Sequence, residues 1–394
     1  MKFEELYKSL YSPDQNERIL TADKMAQEYK NNGLNRSSDP AYVNNHIHTT
    51  FSFSPYTPSA AVYEAFSRGL VTAGIMDHDS LGGSQEFIKA AEAFGIASTV
   101  GTEIRVSFSG TPFEKIKLNS PDQKGIAYVA VHGIPHQNIK KLQSMLAPYR
   151  EKRNIRNRQM IDRINSIVGG CGLKLDFEND VIPISEYNNG GTITERHLLF
   201  ALSKKIRACY SSPDEIICFI RERMNIEIPD KVLSRIKENN PAYIEYDLLG
   251  LLKQSLIKRI YIDADDELMN VREYIEIARS VGALSAYAYL GDVKASATGD
   301  KADEEFEDGF LDELFYYSKE TGFDAVTFMP SRNTLSQLNR VMSLCDKLSL
   351  FQISGEDINS PRQSFICDAI SRPEFRHLIA STWKLIEHEK NKSK

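Results

Sequence analysis

The sequence predicts an α/β barrel. Three features lead there: short apolar runs that recur along the chain, helical stretches between them, and polar residues at the end of each run. The more polar segment 43–48 can also be a strand, and it ends in His46-Ile47-His48. The run 71–76 leads into Asp77-His78-Asp79, 96–101 into Thr102-Glu103, and 126–131 into His132. Late in the chain, 324–329 leads into Ser331-Arg332-Asn333, and 350–354 into Gly355-Glu356-Asp357. Short buried strands alternating with helices indicate a parallel sheet. Such sheets place their site at the carboxyl ends of the strands, whether closed or open. Ligand-type residues come from both the first and the last run. A closed ring brings such runs together, and an open sheet usually does not.

The elements follow in order. Residues 1–40 read as a helical N-terminal extension, punctuated by Asn31-Asn32-Gly33 and Ser37-Ser38-Asp39-Pro40. Residues 41–135 read as the first half of the barrel. From 136 to 247 the pattern turns mainly helical, which suggests an insertion. One helix is expected over about 147–168, with Ile161, Ile164 and Val168 at helical spacing. The turn Tyr187-Asn188-Asn189-Gly190-Gly191 precedes Thr194-Glu195-Arg196-His197. Residues 248–368 read as the second half, with a helix over 271–281 and a strand over 282–289. Residues 369–394 read as a closing helix.

Composition narrows the function classes. A chain of 394 residues can bury a large core in one to three domains. Its 41% hydrophobic and 26% charged residues are ordinary for a soluble protein. The net charge of -6 argues against coating nucleic acid but leaves a local basic site open. No signal-peptide core stands at the N-terminus, and no apolar run is long enough to span a bilayer. The five cysteines are scattered without CxxC spacing, which fits a reducing cytoplasm.

His46 and His48 point the same way on an extended strand, a natural arrangement for a transition-metal pair. The plainer reading is two polar residues at a loop edge. Asp77 is expected to orient His78 or help a metal, since ligating imidazoles usually need a carboxylate behind them. Arg332 is the first candidate phosphate clamp, offering a planar fork at the expected active face. Arg196 and His197 either reach down as a lid or form an ordinary helix N-terminal pair. Lys294 and Arg362 are weaker phosphate candidates. The basic run Arg150, Lys152, Arg153, Arg156, Arg158 and Arg163 reads as a solvated helix face rather than a polyphosphate groove. The acidic run 300–313 reads as a solvated loop and helix start. His377 and His388 read as structural or exposed.

His46-Ile47-His48-Thr49-Thr50, Ile75-Met76-Asp77-His78-Asp79 and Gly101-Thr102-Glu103, with Arg196-His197, Asp324-Ala325-Val326 and Gly355-Glu356-Asp357, resemble the ordered motifs of the polymerase-and-histidinol-phosphatase (PHP) superfamily. The resemblance covers about residues 41–365. It implies a distorted (β/α)7 barrel, a cluster of up to three metals, and hydrolysis of phosphate esters. By that resemblance His46, His48, Glu103 and Asp357 hold the first metal. Glu103 bridges to a second, with His132 as its histidine and His136 as a weaker choice. His78 belongs to the third. The chain departs from the pattern at Phe53, Tyr289 and Asn359, where the family usually carries ligands. Tyr289 could ligate or bind substrate, and Asn359 could offer an amide oxygen. The expectation is therefore one or two divalent ions, with manganese, iron or magnesium as well suited as zinc. Asp77 and Glu103 are the expected catalytic carboxylates. A small phosphorylated substrate is expected, and a nucleic-acid partner is not. The rivals are a degenerate barrel that binds without turnover, an amidohydrolase-like enzyme, and a nuclease.

Overall fold

The computed structural model describes residues 3–32, 37–292 and 306–393. Lys294 and the first part of the acidic run lie outside them. Among the described residues there are eight strands: β1 (Val43–Ile47), β2 (Thr72–His78), β3 (Ala97–Ser107), β4 (Ile126–His132), β5 (Met269–Asn270), β6 (Leu284–Ala288), β7 (Ala325–Phe328) and β8 (Phe351–Ser354). Helices α1 (Phe3–Ser9) and α2 (Gln15–Asn31) precede them; α3 (Pro58–Ser67) and α4 (Ser84–Phe94) alternate with the first strands. Between β4 and β5 come α5 (Ile139–Val168), α6 (Glu195–Cys209), α7 (Pro213–Cys218), α8 (Asp230–Glu238) and α9 (Ile244–Ile260). Then follow α10 (Val271–Ser280), α11 (Leu311–Thr321), α12 (Leu335–Leu348) and the closing α13 (His377–Lys392).

The strands form one curled sheet in the order β1-β2-β3-β4-β6-β7-β8, with β5 added beside β3. Its seam is bridged: Ile47 pairs in parallel with Ile358, just past β8. The expectation of an all-parallel sheet fails at β4, which runs antiparallel to both β3 and β6. The cause is local. A parallel neighbour needs a crossover, usually a helix, and residues 108–125 hold turns instead. This reversal has a consequence for the site. Tyr128, opposite Arg105, lies toward the site end, whereas His132 pairs with Leu284 at the start of β6.

Small residues allow the tight curl. Met76, Ala130, Ala286, Ala325 and Ile353 pack together with Leu385 of α13. α13 covers the end opposite the site: Glu389 accepts from the Val100 amide at 2.8 Å, and His388 donates to the Gly282 carbonyl at 2.9 Å. The main core surrounds this sheet with the outer helices.

The helices between β4 and β5 have a core of their own, from Met160 through Leu202 and Ile220 to Ile260. Because α9 runs to Ile260, this helical stretch continues past the boundary expected at 247. α5 begins at Ile139, not near 147. Pro148 lies inside it, and proline so resembles a first-turn residue that the preceding turns are hidden in the sequence.

A buried ionic network joins the two bodies. Glu267 accepts from Arg105 and from Arg156 (2.7 Å), and lies 3.4 Å from Arg153. Arg156 also meets Glu195 at 2.6 Å, and Arg153 meets Asp79 at 2.5 Å. Arg153 and Arg156 are 5% and 6% exposed, which corrects the solvated-face reading for these two residues. Arg158, paired with Glu178 on the surface, fits it.

Removing one partner of a buried ionic set leaves uncompensated charge, at a cost of about 3–5 kcal/mol. Glu267→Ala should lose that much unfolding free energy in urea melts. Glu178→Ala, at the exposed pair, should change it by less than about 1 kcal/mol.

Candidate metal centre

The carboxyl end of β1 places His46 and His48 on one side, with their Nε2 atoms 3.2 Å apart. Glu103 of β3 brings its Oε2 to 3.8 Å from each. His78, ending β2, sets Nδ1 3.2 Å from the same oxygen. Asp357, after β8, lies 3.3 Å from His48 Nε2. His46, His48 and Glu103 form a set whose ligand atoms lie within 4.8 Å of one another. Lone pairs converge here with too few protons to link them, and a divalent cation fits that donor set.

The backbone makes the convergence possible. Asn44 accepts from the Glu356 amide at 2.9 Å and donates to the Glu356 carbonyl at 3.1 Å. Asn45 donates to the Ser354 carbonyl at 2.8 Å. A Cβ on Gly355 would stand 2.6 Å from the His46 Cβ, so only glycine lets the chain pass this close on its way to Asp357.

Electrostatics prepare the donors. Against the cost of burial, the surrounding imidazoles hold Glu103 at about 2. Asp357 is likewise held well below the usual carboxylate range, chiefly by His48. Burial pushes His78 down to about 3. His46 is raised: burial opposes its charge, but the Glu103 carboxylate outweighs it.

Other expected site residues divide. Asn359 donates to Asp357 Oδ1 at 2.7 Å and accepts from Arg196 Nη1 at 3.1 Å, so both stand beside the cluster. Asp77 does not orient His78. It is fully buried behind β1, accepting from the Thr49 amide (2.7 Å), the Thr49 hydroxyl (2.6 Å) and the Ser52 hydroxyl (2.7 Å). His132, at the end of the reversed β4, is fully buried; the charges of His46 and Glu103 act on it, and among the described residues its Nε2 meets no hydrogen-bond partner. His136 pairs with Glu389 at the far end. Tyr289 points into the outer helix layer and donates to Asp308 at 2.6 Å; its neighbour Ala288 follows the inward face of Ala286. His197 is a capping residue, accepting from the Thr194 amide at 3.0 Å, with Phe53 edge-on to its ring at 5.1 Å. Arg332 donates to the Leu290 carbonyl at 3.1 Å, holding the loop after β6. Arg362 grips Asp247 with two bonds of 3.0 and 2.8 Å, tying the helical body to the segment after β8. His377 and His388 bond to Gln352 and Gly282.

Several residues escaped sequence reading. Tyr128 stands where a second-metal histidine was sought, its ring 5.8 Å from that of His78. Only strand direction distinguishes it from His132. Thr49, Ser52, Asn44 and Asn45 act through hydrogen bonds. For Asn44 and Asn45 the one signal was asparagine at buried strand positions, a residue depleted in strands.

A histidine–carboxylate centre at the strand ends of a curled α/β sheet defines a class of metal-site protein. Residues 44–278, more than half the chain, match the PHP domain family, and the protein belongs to it. Asp357 lies beyond the matched span. The fold is similar to a Bifidobacterium adolescentis protein assigned as a metal-dependent phosphoesterase (19% identity, TM-score 0.56, 86% of this chain and 96% of that one). It is also similar to an amidohydrolase from Chromobacterium violaceum solved with sulfate and no metal (17% identity, TM-score 0.54, the same coverages). A 5'-3' exoribonuclease of Haemophilus influenzae is 31% identical over 74 residues, which is 19% of this chain and 27% of that relative.

Two outcomes are expected. Elemental analysis should find metal retained in His136→Ala but lost from His48→Ala, since only His48 faces the donor set. Metal binding must also displace the proton that Glu103 favours on His46. The raised His46 means apparent affinity keeps climbing with pH beyond the ordinary imidazole value of about 6.5 and falls as pH drops through it. Calorimetry across pH, with proton release read from buffers of different ionisation enthalpy, measures this.

Proposed function

We propose that this protein is a metal-dependent hydrolase of phosphate esters, acting on a small phosphorylated metabolite or nucleotide. The observation that carries this reading is the convergence of His46, His48, Glu103 and Asp357, with His78, at the strand-end face. A divalent cation held there would supply a water of lowered pKa and polarise a phosphoryl oxygen. Manganese, iron, magnesium or zinc is the expected metal, in one or two copies.

The residues do the rest. His46, His48, Glu103 and Asp357 would hold the cation. His78, neutral at pH 7, borders Glu103 on the side facing Tyr128. Arg196 is the substrate-binding cation: it reaches the cluster's edge through Asn359 and can turn its fork to a phosphate. Arg332, which follows β7 and bonds the Leu290 carbonyl, is the second candidate contact. Asp77 supports β1 rather than moving a proton.

The test is phosphate release from a panel of phosphomonoesters and nucleotides, with each metal supplied separately to metal-free protein. Turnover should require metal and stop with chelator. Arg196→Ala should lower kcat/KM about 10- to 100-fold, the worth of a hydrogen bond to a charged group of about 1.5–3 kcal/mol. Amide hydrolysis without phosphate release would instead favour the amidohydrolase reading, which one structural neighbour's name suggests. Release only from the 5' end of an RNA would favour the nuclease reading, which the short exoribonuclease match suggests. Metal bound without turnover of any substrate would favour a binding protein.

A further inference from the structure

Ser52 joins the buried carboxylate Asp77 to the metal-site face. Its oxygen lies 3.2 Å from His48 Nδ1, and its hydroxyl donates to Asp77 Oδ1 at 2.7 Å. Asp77 Oδ1 also takes the Thr49 amide at 2.7 Å, and an amide can only donate, so this oxygen is an acceptor whatever the protonation of the other. Ser52 has one proton and gives it to Asp77. Its oxygen is then left to accept from His48. Ser52, Thr49 and Asp77 are each fully buried, so solvent offers no substitute.

We propose that Ser52 is a positioning residue that holds a proton on His48 Nδ1 and so keeps Nε2 available as a metal donor. The carboxylate is relayed through a hydroxyl instead of touching the imidazole. Thr49 completes the relay by donating to Asp77 Oδ2 at 2.6 Å. The arrangement fixes both the tautomer and the tilt of the ring, which an isolated histidine would sample freely. It also accounts for a buried aspartate that lies too far back to touch a substrate. The inference rests on the metal-centre reading above.

The experiment uses the full chain labelled with 15N-histidine. In metal-free wild type, His48 should show a slowly exchanging Nδ1–H, and Ser52→Ala should lose it. Mn2+ and Zn2+, titrated separately by calorimetry, should bind Ser52→Ala about 10- to 100-fold more weakly than wild type. A bare Nδ1 on His48 in wild type overturns the inference, and that reading needs no variant to fold. Unchanged metal affinity in a folded Ser52→Ala overturns it too, as does weakened affinity with the Nδ1–H intact. If wild type binds neither ion, the metal-centre reading fails, while the Nδ1–H measurement still decides the role of Ser52.

Discussion

Everything at the site depends on the seam between β1 and the segment that follows β8. His46 and His48 come from one end of the barrel sequence and Asp357 from the other. They meet because Ile47 and Ile358 pair across the seam and the two backbones exchange bonds, His48 amide to Ile358 carbonyl at 3.0 Å and Ile358 amide to His46 carbonyl at 3.1 Å. That pairing is a single bridge rather than a ladder. Asn44 and Asn45 make up the deficit with buried side-chain amides, each of which would be costly unpaired. Gly355 permits the approach. A metal bound across the seam would join the first and last strands directly, so metal binding and barrel closure are thermodynamically linked.

The second constraint is charge buried between the sheet and the helical body. Arg105, Arg153 and Arg156 face Asp79, Glu195 and Glu267 where water is scarce. Such networks add little net stability, but they enforce one geometry, because any displacement leaves a charge uncompensated. Here the geometry matters for Arg196. It follows Glu195 at the start of α6, and Glu195 is held by Arg156. The network therefore fixes the helix that carries Arg196 toward Asn359 and Asp357. Arginines beside a phosphate-type site are easily taken for ligand contacts. These three are matched by carboxylates, whereas Arg196 bonds Asn359 beside the cluster.

A polar shell stands behind the donors. Asp77 serves β1 through Thr49 and Ser52, Asn359 serves Asp357, and Asn44 serves the loop that presents it. Asn359 bonds a donor directly, while Asp77 and Asn44 hold the backbone and hydroxyls beside the donors. Ligand direction is thereby set before any cation arrives, which reduces the ordering that binding would otherwise demand.

The sequence by itself determined the α/β class, most strand positions and the candidacy of His46, His48 and Glu103, which the fold brings together. Those depend on local patterns: apolar runs of strand length, a period-two histidine pair, and polar residues at strand ends. Tertiary structure decided what depends on direction and partners. The reversal of β4 brought Tyr128 beside His78, because residues 108–125 hold turns rather than a crossover helix. The helical run of α5 through Pro148 was settled by packing on both sides. Arg153, Arg156, His197, Tyr289 and Arg362 found structural partners that no spacing along the chain reveals, since a side chain's role is set by what faces it, and only the folded chain supplies that face.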